Sequence, residues 1–180
     1  MTIRKVENHT PIIHPSAYVD PSAVVVGQVS IGEHSSVWPM TVIRGDINTI
    51  TIGDRTNIQD GSILHVTHDS EFSPGGAKLT IGNDVTVGHS VVLHACTLED
   101  TCLIGIGSVV LDGAIVRSHA MLGAGSIVTG GKEIEGGYLW VGRPAKKIRA
   151  LTEKEIEHLS YSAAHYAQVK DMHANSVEVD

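Results

Sequence analysis

Residues 13–43 read IHPSAYVDPSAVVVGQVSIGEHSSVWPMTVI, with an aliphatic side chain at every sixth position: Ile13, Val19, Val25, Ile31, Val37 and Ile43. The beat resumes at Ile52, Ile58 and Leu64, and again at Ile81, Val87 and Leu93. After one residue is dropped it runs through Leu98, Ile104, Val110, Val116 and Leu122. Four residues behind most of these stands a second, usually small residue, as at Ala17, Ala23, Ser35, Thr41, Ser62, Cys102, Ser108 and Ala114. Glycine often follows the aliphatic directly, as at Gly32, Gly53, Gly82, Gly88, Gly105 and Gly123. An amphipathic helix repeats every 3.6 residues and cannot carry this pattern. A period of six suits a short strand and a turn. Three such units close one triangular coil, and stacked coils pair their strands ~4.8 Å apart. The seventeen hexads predict between five and six coils.

Outward from the repeat, two interruptions are expected between coils, at residues 49–51 and 70–80. The second, SEFSPGGAKLT, should project from a corner, and loops that break a solenoid often carry its site. After the last hexad comes the glycine-rich GGKEIEGGYLWVGRPAKKIR, closed by Pro144. Thr152 and Glu155 then form a capping box. Ile156, Leu159, Ala163, Tyr166 and Val169 follow at helical spacing, which predicts one amphipathic helix over 153–173 lying along the prism. The expected organisation is a repeat domain over 1–150, with the loop at 70–80, and a helix and tail over 151–180.

The composition agrees with a narrow core. Only seven aromatics occur, namely Trp38, Trp140, Tyr18, Tyr138, Tyr161, Tyr166 and Phe72. A net charge of −7 argues against nucleic acid, which needs a basic stripe. No stretch approaches the ~20 apolar residues of a membrane span, and the opening MTIRKVENHT does not read as a secretory leader. Cys96 and Cys102 fit no metal spacing and read as small buried thiols of a reducing, cytoplasmic compartment.

When hexads stack in threes, every third one lies above the last. Ile43, Leu64 and Leu93 then share a column, and the residues after them are Arg44, His65 and His94. The neighbouring column holds Val37, Ile58 and Val87, with Asp60 in one rung and His89 in the next. His65 and His94 should lie one strand spacing apart, close enough to share an ion. His89 is on the previous face, up to ~17 Å of extended chain from His94. In a cyclic trimer one face of each prism meets a different face of its neighbour. His89 of one chain would then join His65 and His94 of the next. Three imidazoles with an open fourth position form the catalytic kind of zinc site.

The segments VIRGDINTITIGDRTNIQDGSILH and IGNDVTVGHSVVLHACTL resemble the γ-class carbonic anhydrases, and the likeness covers roughly residues 10–150. It rests on Arg-Gly-Asp at 44–46, Asn-Ile-Gln-Asp at 57–60, and His65 followed by His89 and His94. The resemblance implies a left-handed parallel β-helix, since spacing alone shows a solenoid but not its hand. It implies a homotrimer holding zinc (cobalt or iron also suit the ligands) on His65, His89 and His94. It further implies Arg44 and Asp60 as an ion pair between subunits, with Asp46 beside it. Asn57 and Gln59 would orient the reacting oxygen, and Tyr161 would border the pocket. The activity implied is reversible hydration of carbon dioxide to bicarbonate. The best-known members carry glutamates for proton export where this chain has Ile47 and His68. His68 is the expected substitute, because histidine is the side chain whose charge can change near neutral pH, with Asp69 and Glu71 behind it. The alternatives are a metal-dependent acyl-CoA hydrolase or hexapeptide-type acyltransferase, and a metal-binding trimer with little catalysis.

Overall fold

The computed structural model describes residues 2–176 and shows a mainly β protein: a parallel solenoid of short strands with one C-terminal helix, α1 (Glu153–Ala174). The last four residues of the expected C-terminal segment lie outside the described residues. The hexad aliphatics stack in three in-register columns. One face carries Val25, Ile43, Leu64, Leu93 and Val110. The second carries Ile13, Ile31, Ile52, Ile81, Leu98 and Val116, and the third Val19, Val37, Ile58, Val87, Ile104 and Leu122. Most of these side chains are fully buried and interlock along the axis. Successive strand residues point to opposite sides, so each aliphatic points inward and its predecessor faces out.

The solenoid is longer than the spacing predicts. Val128 pairs with Val110, Ile134 with Val116, and Trp140 with Leu122. The stretch read as a glycine-rich closing segment therefore still coils. Its glycines occupy turn positions, Gly131 at φ +67° and Gly137 at φ +76°, while Val128, Ile134 and Trp140 keep the six-residue beat. An antiparallel pair, Tyr138–Gly142 with Ala145–Ala150, ends the sheet of the third face. At the other end Thr2–Arg4 adds a strand to Val24–Val26.

Both interruptions are shifted by about three residues from the expected positions. Residues 49–51 belong to the continuous strand Val42–Ile52. The register steps from Gly27 opposite Gly45 to Val29 opposite Ile50, so residues 46–49 stand opposite Gln28 alone and form a bulge with three residues to spare. Gly45 permits this, because a Cβ there would sit 2.7 Å from the Gln28 carbonyl. The second excursion closes at a two-way backbone pairing of Thr67 with Ala77, both bonds 3.0 Å. Leu79–Ile81 is already strand, with Leu79 fully buried.

The capping box on α1 is present: Thr152 Oγ1 accepts from Glu155 N–H, and the Glu155 carboxylate accepts from Thr152 N–H at 2.9 Å. The helix lies on the lower part of the third face, where Trp38 meets the rings of Tyr166 and His173 edge-on. Leu159, Ala163 and Lys170 are its buried residues. Ile156, expected on the packed side, is 39% exposed. Among the described residues no helix is long and apolar enough to cross a membrane.

Candidate metal centre

His65 ends the strand Ile63–His65 and His94 ends Val92–His94, directly paired on the first face. Leu64 and Leu93, buried beside them, anchor both rings to the core. His65 Nδ1 lies 3.2 Å from His94 Nε2. Each outer nitrogen meets its own carboxylate: His65 Nε2 is 3.2 Å from Asp46 Oδ1, and His94 Nδ1 is 2.6 Å from Asp112 Oδ1. Arg44 Nη1 donates to Asp46 at 2.6 Å. Thr67 Oγ1 donates to the other oxygen of Asp112. The result is one polar chain running Arg44–Asp46–His65–His94–Asp112–Thr67 across four rungs.

The electrostatics make this chain fit a cation. Partial burial raises the Asp46 carboxyl, but Arg44 and His65 offset that, and it sits below the ordinary carboxylate range. Asp112 is likewise raised by burial and brought lower still by Thr67 and His94. Both are therefore acceptors near neutral pH. Burial, helped by the neighbouring Arg44 and His94 and opposed by the bond to Asp46, holds the His65 imidazole below its usual value, a shift that favours the neutral ring. A neutral ring that donates from Nε2 has a bare lone pair on Nδ1. His94, donating from Nδ1, has its lone pair on Nε2. With each outer N–H turned to its carboxylate, two lone pairs face each other at 3.2 Å, an arrangement that a cation would satisfy. In a tetrahedral site with zinc–nitrogen bonds of ~2.0–2.1 Å, two ligand nitrogens lie ~3.3–3.4 Å apart. The pair fits that spacing.

His89 lies on the third face, its Nδ1 2.9 Å from Asp60 Oδ2, so it shows the same carboxylate-held pattern. Within one chain and among the described residues, no three His, Cys, Asp or Glu side chains converge on a point. Gln59, Thr86, His89, Leu103, Ile106 and Tyr166 line a groove of about 310 Å³. Gln59 is buried in its lining, and Asn57, also buried, is bonded to Gln59. Gln59 Nε2 donates to Asn57 Oδ1 at 3.0 Å, Asn57 Nδ2 to Thr86 Oγ1 at 3.1 Å, and Thr86 Oγ1 to Ser162 on α1 at 3.0 Å. The helix thereby locks both amides.

The remaining expected residues fall as follows. Arg44 is paired with Asp46, and Asp60 with His89. Tyr161 is 62% exposed and stacked on His158 and His165, while Ser162 and Tyr166 are the helix residues facing the groove. His68 stands exposed on the loop three residues past His65. Asp112 and Thr67 escaped the sequence reading. The one available signal was an aspartate in the corner after Val110, one rung beyond Leu93 and His94.

A family model described as bacterial transferase hexapeptide (six repeats) matches residues 10–45. Protein YrdA of Escherichia coli is 53% identical over 161 residues, covering 89% of this chain and 88% of that protein. A carbonic anhydrase of Geobacillus kaustophilus is 43% identical, covering 88% and 84%. The crystal structure of a hexapeptide transferase family protein from Anaplasma phagocytophilum superposes with a TM-score of 0.86 at 38% identity, covering 95% and 97%. The chain therefore belongs to the hexapeptide-repeat family whose members include proteins named gamma carbonic anhydrase and carbonic anhydrase.

Proposed function

We propose that this protein is a metal-dependent carbonic anhydrase of the γ type, built as a homotrimer with His65 and His94 of one chain and His89 of the next as ligands. The observation that carries the reading is the pair of facing ring nitrogens 3.2 Å apart, each ring held from behind by an aspartate. Zinc is the preferred ion, and cobalt or iron suit the same imidazoles.

The surfaces support the assembly. The outward row of the first face is Val24, Val42, Ile63, Val92, Val109 and Ile127, aliphatic throughout. On the third face α1 leaves Leu103, Met121 and Leu139 outward above its end. The outward row of the second face is instead mixed, with Ser30, Thr51, Thr80, Thr97 and Glu133 interrupted by Ile12 and Ile115. Two unlike apolar faces per chain suit a head-to-tail ring, and closure after three subunits brings the His89 face onto the His65–His94 face.

Such an ion supplies a nucleophile at neutral pH by lowering the pKa of water from 15.7 to about 7. The chain's own residues bind and orient. Gln59, locked through Asn57 and Thr86 to the helix, offers a fixed amide in the groove lining. His68, exposed beside the site, takes the proton outward.

The test is metal content followed by stopped-flow carbon dioxide hydration, with and without a chelator. Equimolar metal and chelator-sensitive hydration are expected. Metal without hydration under zinc, cobalt and anaerobic iron, coupled with thioester hydrolysis, would replace this reading with the acyl-CoA one. Mixing His65→Ala with His89→Ala subunits tests the sharing. Some interfaces in mixed trimers are intact, so metal binding should partly return.

A further inference from the structure

Asp112 binds no ion in this scheme, yet it ties the second histidine to the projecting loop. Its Oδ1 accepts from His94 Nδ1 at 2.6 Å, and its other oxygen accepts from Thr67 Oγ1. Thr67 is itself held three ways at the neck of the excursion. Its N–H donates to the Ala77 carbonyl and its carbonyl accepts from the Ala77 N–H, both at 3.0 Å, and that carbonyl also accepts from Asn48 Nδ2 at 3.1 Å. Both oxygens of Asp112 are thus engaged, and the aspartate cannot rotate away without breaking contact with the loop. Asp46, behind His65, is steadied instead by an exposed arginine.

A neutral imidazole carries one proton, and the acceptor facing one nitrogen decides which. A carboxylate only accepts, so Asp112 selects the form of His94 protonated at Nδ1. We propose that Asp112, clamped by Thr67, is a positioning residue that fixes His94 in this tautomer and so presents Nε2 bare to the ion. Without it the ring can carry its proton on Nε2, where it blocks the ligand position, and can also turn about χ2. Loss of such an outer partner costs about 10–100-fold in metal affinity. The affinity consequence rests on the metal reading above, whereas the tautomer does not.

The experiment has two arms, on the full trimeric protein. In the metal-free, 15N-labelled protein, the His94 ring nitrogens report the tautomer directly. In parallel, zinc affinity is measured by competition with a chromophoric chelator. The unaltered protein should show the Nδ1–H form alone. Asp112→Ala should show a mixture or the opposite form, with zinc bound about 10–100-fold more weakly. Thr67→Val should move both readouts the same way by less, and Thr67→Ser should restore them. If Asp112→Ala fails to assemble, Thr67→Val against Thr67→Ser decides. The proposal is overturned if the unaltered protein carries the proton on Nε2. It is equally overturned if the variants keep both the tautomer and an affinity within about twofold. If the unaltered protein binds no zinc, the metal reading falls, and the tautomer comparison still decides the role of Asp112.

Discussion

His65 and His94, 29 residues apart in the chain, face each other across one rung spacing with Nδ1 and Nε2 3.2 Å apart. Neither ring is free to turn, because Asp46 holds the first from behind and Asp112 the second. The backbone sets the spacing and the carboxylates set the nitrogens. In the proposed site, two of the three imidazoles are thereby preorganised in a single subunit, and the third would come from a neighbour. Several measurable consequences follow from this division.

Metal should stabilise the assembled protein and do little for a chain that cannot complete the site. A ligand present at 100 times its Kd adds about 2.7 kcal/mol. Thermal unfolding of the metal-loaded protein should therefore shift down on chelation. In His89→Ala the shift should shrink towards zero, although His65 and His94 remain. An unchanged shift in that variant would mean the ion is held within one chain.

Assembly should depend on the aliphatic row of the first face. Ile63 is 47% exposed in the isolated chain, beside His65. Ile63→Lys would place a charge in a dry contact, and light scattering should then report a particle of 19.1 kDa rather than three times that mass. The equivalent change Thr80→Lys, on the mixed second face, should leave the assembled mass intact.

The loop neck should tolerate no side chain at Gly76. Its φ is +64°, and a Cβ would sit 2.5 Å from the Thr67 carbonyl. Gly76→Ala is expected to cost on the order of 1–3 kcal/mol of local strain. Limited proteolysis should cut the 67–77 excursion faster, while the core of the solenoid keeps its protection.

Cys96 and Cys102 should resist thiol reagents in the native protein. Burial pushes both up to about 12, and the nearby carboxylates of Asp112 and Glu99 add to this. At pH 8 a disulfide reagent should label neither, and both should react once guanidinium unfolds the chain. Labelling of one in the native state would reveal an opening of that corner.

The start of α1 should loosen in acid. Hydrogen bonds from Arg149 and the Thr152 N–H take the Glu155 carboxyl down to about 2, from 4.5. A lowered folded-state value contributes stability that is complete above about 4.5 and is lost as pH falls towards about 2. Far-UV circular dichroism should show helix loss across that window. Glu155→Gln should remove the pH dependence there and weaken the cap at neutral pH.

Much of this molecule is written in local spacing. The six-residue beat from Ile13 to Leu122 dictates a coil, because only a strand-and-turn unit returns an aliphatic to the core at that interval. Column reading then puts His65 beside His94, and Asp60 beside His89, since in-register stacking converts sequence offsets into neighbours. The capping box at Thr152 and Glu155 is equally local. The beat beyond Leu122 was harder to see, because Gly130, Gly131, Gly136 and Gly137 look like a linker until the ladder pairs Val128, Ile134 and Trp140 with the coils below. The bulge at 46–49 was misplaced for a similar reason: a strand that keeps its hydrogen bonds on both sides of an insertion gives no break in composition. Asp112 and Thr67 could not be found from spacing at all. They are 45 residues apart, and they meet only because a corner aspartate and the neck of an excursion close on the same imidazole. Sequence periodicity determined the rungs, while three-dimensional closure decided which carboxylates stand behind His65 and His94.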